Sequence, residues 1–384
     1  IFINKYDPNG QLIWALGFGG KGPDRCTNAV LDASGDLIVL GNFRDTVEFG
    51  QTSTVSSGFN DIFIAKISSD GVLKWVRSLG GTMDENGRSL ALQKDGHIIV
   101  TGTFQGKIKF ENTTIPELIA VKNTDIFILS IQSDGKFEWV KQIGGISEEI
   151  AYSLCVNRKD EIVVVGTYNS DLDFDPDSSV YKLLQSGVYP NMFVLDLHLD
   201  GSFNWVKQFA GDNNIIPYNV KTDLGDKIVV TGTFRSKVDF DPGAGINELI
   251  APGILGDAFV LKLASNGGLD WVKRLGGPLN EIGLGLFIDP YDNIYTTGCY
   301  EDGADFDPGI GSYTLYTDGV PNNNDIYISK LSSSGDFLWA NGMQGALEDI
   351  GFSICVAPSA TVHSTGIFSG SLKVNSGKDS SFIM

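Results

Sequence analysis

Six tryptophans, Trp14, Trp75, Trp139, Trp205, Trp271 and Trp339, stand 61, 64, 66, 66 and 68 residues apart. A period held along a whole chain constrains the fold before any local motif does. Alignment on tryptophan brings four short elements into phase. The first is DIFIAKIS at 61–68, echoed by DIFILSIQ (125–132), NMFVLDLH (191–198), DAFVLKLA (257–264) and DIYISKLS (325–332). The second is the tryptophan element itself, as in LKWVRSLGG (73–81) and FEWVKQIGG (137–145). The third follows an acidic loop: RSLALQ (88–93), YSLCVN (152–157), LGLFID (284–289) and FSICVA (352–357). The fourth is HIIVTGTF (97–104), with LIVLGNF (37–43), EIVVVGTY (161–168), KIVVTGTF (227–234) and NIYTTGCY (293–300). These runs alternate or concentrate β-branched and aromatic residues between Gly, Asp and Asn, the signature of strands. No segment sustains a 3.6-residue period with caps, so helix is expected to be nearly absent.

Four strands per unit, six times over, predict an all-β chain folded as a β-propeller of six four-stranded blades. A single sheet or barrel of about 24 strands would exceed ordinary sheet sizes. The strand order within a blade is expected to run RSLALQ, HIIVTGTF, DIFILSI, FEWVKQI. In that phase IFINKYDPNGQLIWALGF (1–18) completes the blade begun by FSICVAPSATVHSTGIF (352–368), so both termini close the ring. The expectation is one domain over 1–384, with repeats near 1–60, 61–124, 125–190, 191–256, 257–324 and 325–378 and a tail at 379–384. The tail DSSFIM shares the phase of IFINKY, so two segments compete for one strand position. The alternative is therefore part of a seven-bladed propeller. The chain opens on Ile1 with no visible leader, which suggests a mature or excised fragment.

The repeat resembles the bacterial β-propeller repeat family often called SBBP. The resemblance rests on DIFIAKISSDGVLKWVRSLGG, a Ser–apolar strand, IIVTGTF and, in three units, DFDP. It covers essentially the whole chain. It implies an exported or cell-surface protein, often one module of a larger polypeptide, and carries neither catalytic residues nor a defined ligand.

The charge balance is 28 Lys plus Arg against 47 Asp plus Glu, a net −19. Such a surface repels phosphate backbones and anionic lipid, which argues against nucleic-acid and membrane-surface partners. No apolar run reaches the roughly 18 residues of a membrane span. Cys26, Cys155, Cys299 and Cys355 show no metal-ligand spacing and are expected to be buried free thiols.

Three constellations are candidates for function. SSDGVLKWV (68–76) resembles the Asp-box of sialidases, but the Asp-Gly and Asn-Gly steps are strong hairpin-turn signals in their own right. A sialidase would also need convergent arginines. Of the seven arginines only Arg44 and Arg235 share a repeat position. The reading is a turn followed by a packing tryptophan.

The second constellation is DFDP: Asp173 and Asp175, Asp239 and Asp241, Asp305 and Asp307, extended in one unit by Asp171 and Asp177. Carboxylates at every second position could converge on Ca²⁺, which takes six to eight oxygens. The structural alternative is an Asx-turn ahead of proline.

The third is the loop after Gly-Gly, where Asp24, Asp84, Glu148, Asn214, Asn280 and Glu348 are expected to ring one mouth of the channel. Asn28, Ser89, Ser153, Asn219 and Ser353 lie just inside. This ring could bind a ligand by convergent dipoles or serve only to cap backbone N–H groups. His97, His198 and His363 fall at different phases.

The functional expectation is a non-enzymatic binding or scaffolding module that meets a protein or glycan at the bacterial surface. The alternatives are a glycan-active hydrolase or lyase at the channel mouth, betrayed by off-repeat residues such as Tyr218 or His97, and a calcium-stabilised spacer.

Overall fold

The computed structural model describes residues 1–110, 114–253, 255–317, 323–375 and 380–383. Among them every regular element is a strand. Two compact units divide the chain: Ile1–Ile162 with Tyr168–Leu184 and Asp196–Asn204, and Val163–Thr167 with Gln185–Leu195 and Trp205–Met384.

In the first unit, strands Asp24–Leu31, Leu37–Phe43, Asp61–Ile67 and Leu73–Gly80 pair antiparallel in chain order. The next repeat does the same with Glu85–Leu92, Ile98–Phe110, Leu118–Ile131 and Phe137–Ile143. The second unit repeats the pattern twice. Its strands are Ile215–Thr222, Ile228–Phe234, Asp257–Leu263 and Leu269–Leu275, then Glu281–Ile288, Ile294–Tyr300, Asp325–Leu331 and Phe337–Gly345. The division between units runs through the repeat at Ile150–Val156, Ile162–Tyr168, Asn191–Leu197 and Phe203–Gly211. Each sheet is the blade of a propeller-type repeat, with the strand order the sequence predicts.

Within each unit the apolar faces of neighbouring blades meet in shared buried clusters. In the first unit Leu40, Ile62, Ile64, Leu90, Val100, Phe127 and Leu129 form a single buried cluster drawn from two blades. Val229, Val260, Leu275, Leu286, Tyr300 and Tyr327 do likewise in the second. Sheets buried on both faces explain why the second and third strands read as continuous apolar runs.

Tryptophan fastens neighbouring blades together. A Cβ on Gly71 would lie 2.8 Å from Trp14, on Gly135 2.8 Å from Trp75 and on Gly201 2.8 Å from Trp139. Each of these glycines has φ near +80° in its Asp-Gly turn. The glycine thus supplies the positive φ and also leaves a flat surface for the preceding blade's indole. Trp14 Nε1 donates to Ser69 O at 3.0 Å and Trp75 Nε1 to Ser133 O at 3.2 Å. The Asp-box-like stretch is an inter-blade fastening.

A short hairpin absent from the expected four strands links strands two and three. Examples are Thr46–Phe49 with Thr52–Val55 and Lys237–Asp239 with Glu248–Ile250. The hairpin pairs back onto the preceding blade's fourth strand, Ala210 with Asp239 and Gly80 with Lys109. Strand Ser380–Ile383 pairs with Leu372–Asn375 as the last such hairpin. The described part of the tail is therefore not a rival to IFINKY for a third-strand position; residues 379 and 384 lie outside the described residues.

At the ends of the chain, Phe2–Tyr6 pairs with Leu12–Gly17, and Ile350–Val356 with Val362–Ile367, as two separate two-stranded sheets. One thiol expectation is corrected. All four cysteines are free, and Cys155 and Cys299 are buried, but Cys26 and Cys355 are exposed. Cys155 and Cys355 share a repeat position, but the first-strand face that buries Cys155 stays open in the last hairpin, whose pattern includes exposed Phe352, Ser353 and Cys355.

Candidate functional site

Two of the loop residues after Gly-Gly come together. Asp84 and Glu148 line one pocket of about 260 Å³ with Asn60, Asn86, Arg88 and Gln105. Asp84 Oδ1 accepts from Asn60 Nδ2 at 2.8 Å, and Arg88 lies over the ring of Tyr152 at 6.0 Å. The pocket presents two carboxylates, one guanidinium and several amides, a lining suited to a small polar ligand. Elsewhere this position serves the crossing between blades. Arg235 N–H donates to Asn214 O and Glu301 N–H to Asn280 O, at 2.9 and 3.1 Å. Asn280 Nδ2 reaches Asn324 Oδ1 at 3.4 Å, whereas the Glu348 side chain is exposed.

Asp24 belongs one position further along. Its Oδ2 accepts from Gly20 N–H at 2.8 Å, as Glu85 Oε2 accepts from Gly81 N–H at 2.8 Å. Both residues open a first strand. The true equivalents are therefore Asp24, Glu85, Glu149, Glu281 and Asp349, a set the sequence reading passed over. The signal was present as an acid four residues after the second glycine of Gly-Gly.

The inner polar residues do meet across blades. Asn28 Nδ2 donates to Ser89 Oγ at 3.5 Å, and Ser89 Oγ to Leu154 O at 3.4 Å, beside Ser153. Asn219 Nδ2 donates to Leu284 O at 3.4 Å, and Ser353 is exposed.

The DFDP aspartates are engaged by their own loops. Asp239 Oδ1 accepts from the backbone N–H groups of Asp241 and Asn247, at 3.0 and 2.9 Å, and Asp241 Oδ1 from Gly243 N–H at 2.8 Å. Asp305 and Asp307 repeat this with Asp307, Tyr313 and Gly309. Asp173 accepts from Asp175 and Tyr181, and Asp175 from Asp177. Asp171 pairs with Lys182 at 3.5 Å and Asp177 with Lys141. No group of three or more acidic, His or Cys side chains placed to hold a metal occurs among the described residues. The phenylalanine between the aspartates is buried: Phe240 lies 5.6 Å from Phe234 and 5.1 Å from Phe259, and Phe306 lies 4.6 Å from Tyr327.

His97 sits between Asp95 and Glu138, with Nδ1 to Oδ1 at 2.8 Å and Nε2 to Oε2 at 3.3 Å. Asp95 belongs to the Asp-Gly turn beside it and accepts His97 N–H as well. No helix among the described residues is long and apolar enough to cross a membrane.

No family model matches the chain. It is 23% identical over 437 residues to an uncharacterized WD repeat-containing protein of Acanthamoeba polyphaga mimivirus, covering 94% of this chain and 32% of that protein. It is 30% identical over 148 residues to the regulatory protein FlaEY of Caulobacter vibrioides, covering 38% of this chain and 15% of that one. The chain thus spans about a third or less of the length of these curated relatives. Among solved structures, a protein of unknown function from Bacteroides caccae matches at 15% identity with a TM-score of 0.32, covering 75% of this chain and 91% of that one. The extracellular domain of a putative hybrid two-component system of B. thetaiotaomicron matches at 10% identity with a TM-score of 0.18, covering 100% and 72%.

Proposed function

We propose that the chain is a binding or scaffolding module of an exported bacterial surface protein, and that it acts by presenting propeller loops to a protein or glycan partner. The observation that carries this reading is the set of loops after DFDP. Val180, Ile246 and Ile310 stand exposed there. An aliphatic side chain at each loop offers apolar area that contact with a partner would bury. The repeat-containing description of the viral relative supports an interaction module, and the resemblance of the repeat supports export. In this reading the chain forms one six-bladed domain, closed when the half-blade at Phe2–Gly17 joins the half-blade at Ile350–Ile367, within a larger polypeptide.

The test is binding of the purified chain to cell-surface protein and glycan fractions, beside a Val180→Ser/Ile246→Ser/Ile310→Ser variant. Saturable binding that the variant loses at unchanged Tm supports the reading. Turnover of a glycan by the purified chain would overturn it in favour of an enzyme.

A further inference from the structure

Four seams between neighbouring blades each bury two acids. The third strand opens on Asp61, Asp257 or Asp325, with Asp125 inside Leu118–Ile131, and the next blade's first strand opens at Glu85, beside Glu149, at Glu281 or beside Asp349. Backbone bonds hold the two ends together: Glu85 N–H donates to Asn60 O, Glu149 to Thr124 O, Glu281 to Gly256 O and Asp349 to Asn324 O. All eight acids are buried.

One oxygen of each acid has a donor. Gly81, Gly145 and Gly277 N–H groups serve the glutamates at 2.8, 2.9 and 2.8 Å. Ser57 N–H serves Asp61 at 2.9 Å, Val121 N–H serves Asp125 at 3.0 Å and Ser369 N–H serves Asp349 at 2.9 Å. A second oxygen of Asp61, Glu85, Asp125, Asp257, Glu281 and Asp349 has no hydrogen-bond partner in the protein. The Gly-Gly step packs directly on these groups. A Cβ on Gly80 would lie 2.1 Å from Asp61 Cγ, and one on Gly144 1.8 Å from Asp125 Oδ2.

The charged surroundings make matters worse for two carboxylates. Asp84 adds negative charge at Glu85, Glu148 at Glu149 and Glu301 at Glu281, where Cys299 and Tyr327 also face the carboxyl. Gln142 donates to Asp125 at 2.6 Å and Ser170 to Glu149 at 3.3 Å, both neutral. At the seam of Asp257 and Glu281 a cation is present as well: Arg274 pairs with Asp257 at 2.5 Å. One repeat, by contrast, carries Asn191 and Ile215 at the two positions and has neither acid.

We propose that the seams of Asp61 with Glu85, Asp125 with Glu149 and Asp257 with Glu281 are proton-binding sites, in each of which the two buried acids carry one proton instead of two negative charges. The fastening between blades then depends on that proton, which comes from and returns to solvent. An unpaired buried charge is far costlier than a neutral acid. Burial, with the neighbouring acid adding to it, pushes Glu85 and Glu281 up to about 8 and Glu149 to about 7, and burial pushes Asp61 and Asp257 to about 6. Unfolded carboxyls release their protons near pH ~4. The folded state therefore holds protons that the unfolded state has lost, and stability must fall as pH rises from about 5 to about 8.

The test compares the full chain with a Glu85→Gln/Glu149→Gln/Glu281→Gln variant. The wild type should show the infrared carbonyl band of protonated carboxyl groups at pH ~6 and lose it by pH ~9, with Tm falling by about 5 °C or more. The variant should lose most of that band and at least half of the Tm slope. Absence of the band at pH ~6, or an unchanged slope in a folded variant, overturns the proposal. So does a rise in wild-type Tm with Ca²⁺ or Mg²⁺ at pH ~8 that the variant lacks, which would assign the pairs to a cation. If the variant does not fold, the wild-type band alone decides. The proposal does not depend on the partner reading above.

Discussion

Asp239 and Asp241 lie in a loop whose backbone N–H groups occupy their oxygens, while Asp257 and Glu281, close by in the same unit, are fully buried with one oxygen each left over. In the sequence the first group is conspicuous as DFDP, repeated with an acid at every second position. The second is inconspicuous, one acid opening a strand and another four residues past a Gly-Gly. The structure reverses their weight. Where carboxylates meet backbone donors in water they organise a turn at little cost. Where they meet each other in a dry seam they must be protonated or compensated. Density of acidic residues along a chain is thus a poor guide to electrostatic consequence; burial is the deciding variable.

The sharpest way to test that contrast is to remove the part of DFDP that is not acidic. Phe306 is fully buried against Tyr300 and Tyr327, at 5.9 and 4.6 Å. Phe306→Ala should cost about 3–5 kcal/mol of stability by chemical denaturation. A loss below about 1 kcal/mol would mean the loop is anchored by its aspartates after all.

A second change transplants the exceptional seam. Asp61→Asn with Glu85→Ile copies Asn191 and Ile215. Replacing buried ionisable groups with apolar ones of similar volume is often neutral or stabilising by about 1–4 kcal/mol. The gain should appear near pH ~9, where the wild-type pair has lost its proton, and shrink toward pH ~5, where it has not. Equal effects at both pH values would show that Glu85 matters through its bond to Gly81 and not through its charge.

The repeat, the strand order, the turns and the turn-capping tryptophans were legible because period and alternation are properties of the chain itself. The short linking hairpins were not. Lys237–Asp239 is three residues long, too short for alternation to register, and owes its shape to pairing with Ala210 and Gly211 of the preceding blade. The buried acids are hard to pick out because each follows directly on another polar residue, Glu85 on Asp84 and Glu149 on Glu148, and burial is not a property of residue type. The bonds from Gly20 and Gly81 show that Asp24 and Glu85 correspond, at the same four-residue spacing from glycine. Half-buried Asp84 and fully buried Glu85 are neighbours in sequence, and nothing in residue type separates them.

The smallest effects should come from the aspartates that look most like ligands. Asp241 spends Oδ1 on Gly243 N–H, and Gly245 sits against Oδ2, where a Cβ would lie 2.1 Å away. Asp239 spends its own Oδ1 on two N–H groups. Calcium asks for six to eight oxygens, and each loop offers two carboxylates already directed at backbone donors. Asp241→Ala should therefore cost only about 1 kcal/mol, the worth of one hydrogen bond. Millimolar Ca²⁺, added after chelator, should move the Tm of the wild type by less than about 1 °C, since a ligand stabilises only in proportion to its occupancy of the folded state. A rise of several degrees that Asp239→Ala or Asp305→Ala abolishes would break the contrast drawn above, because the loop aspartates would then hold a cation whose binding repays the bonds they give up.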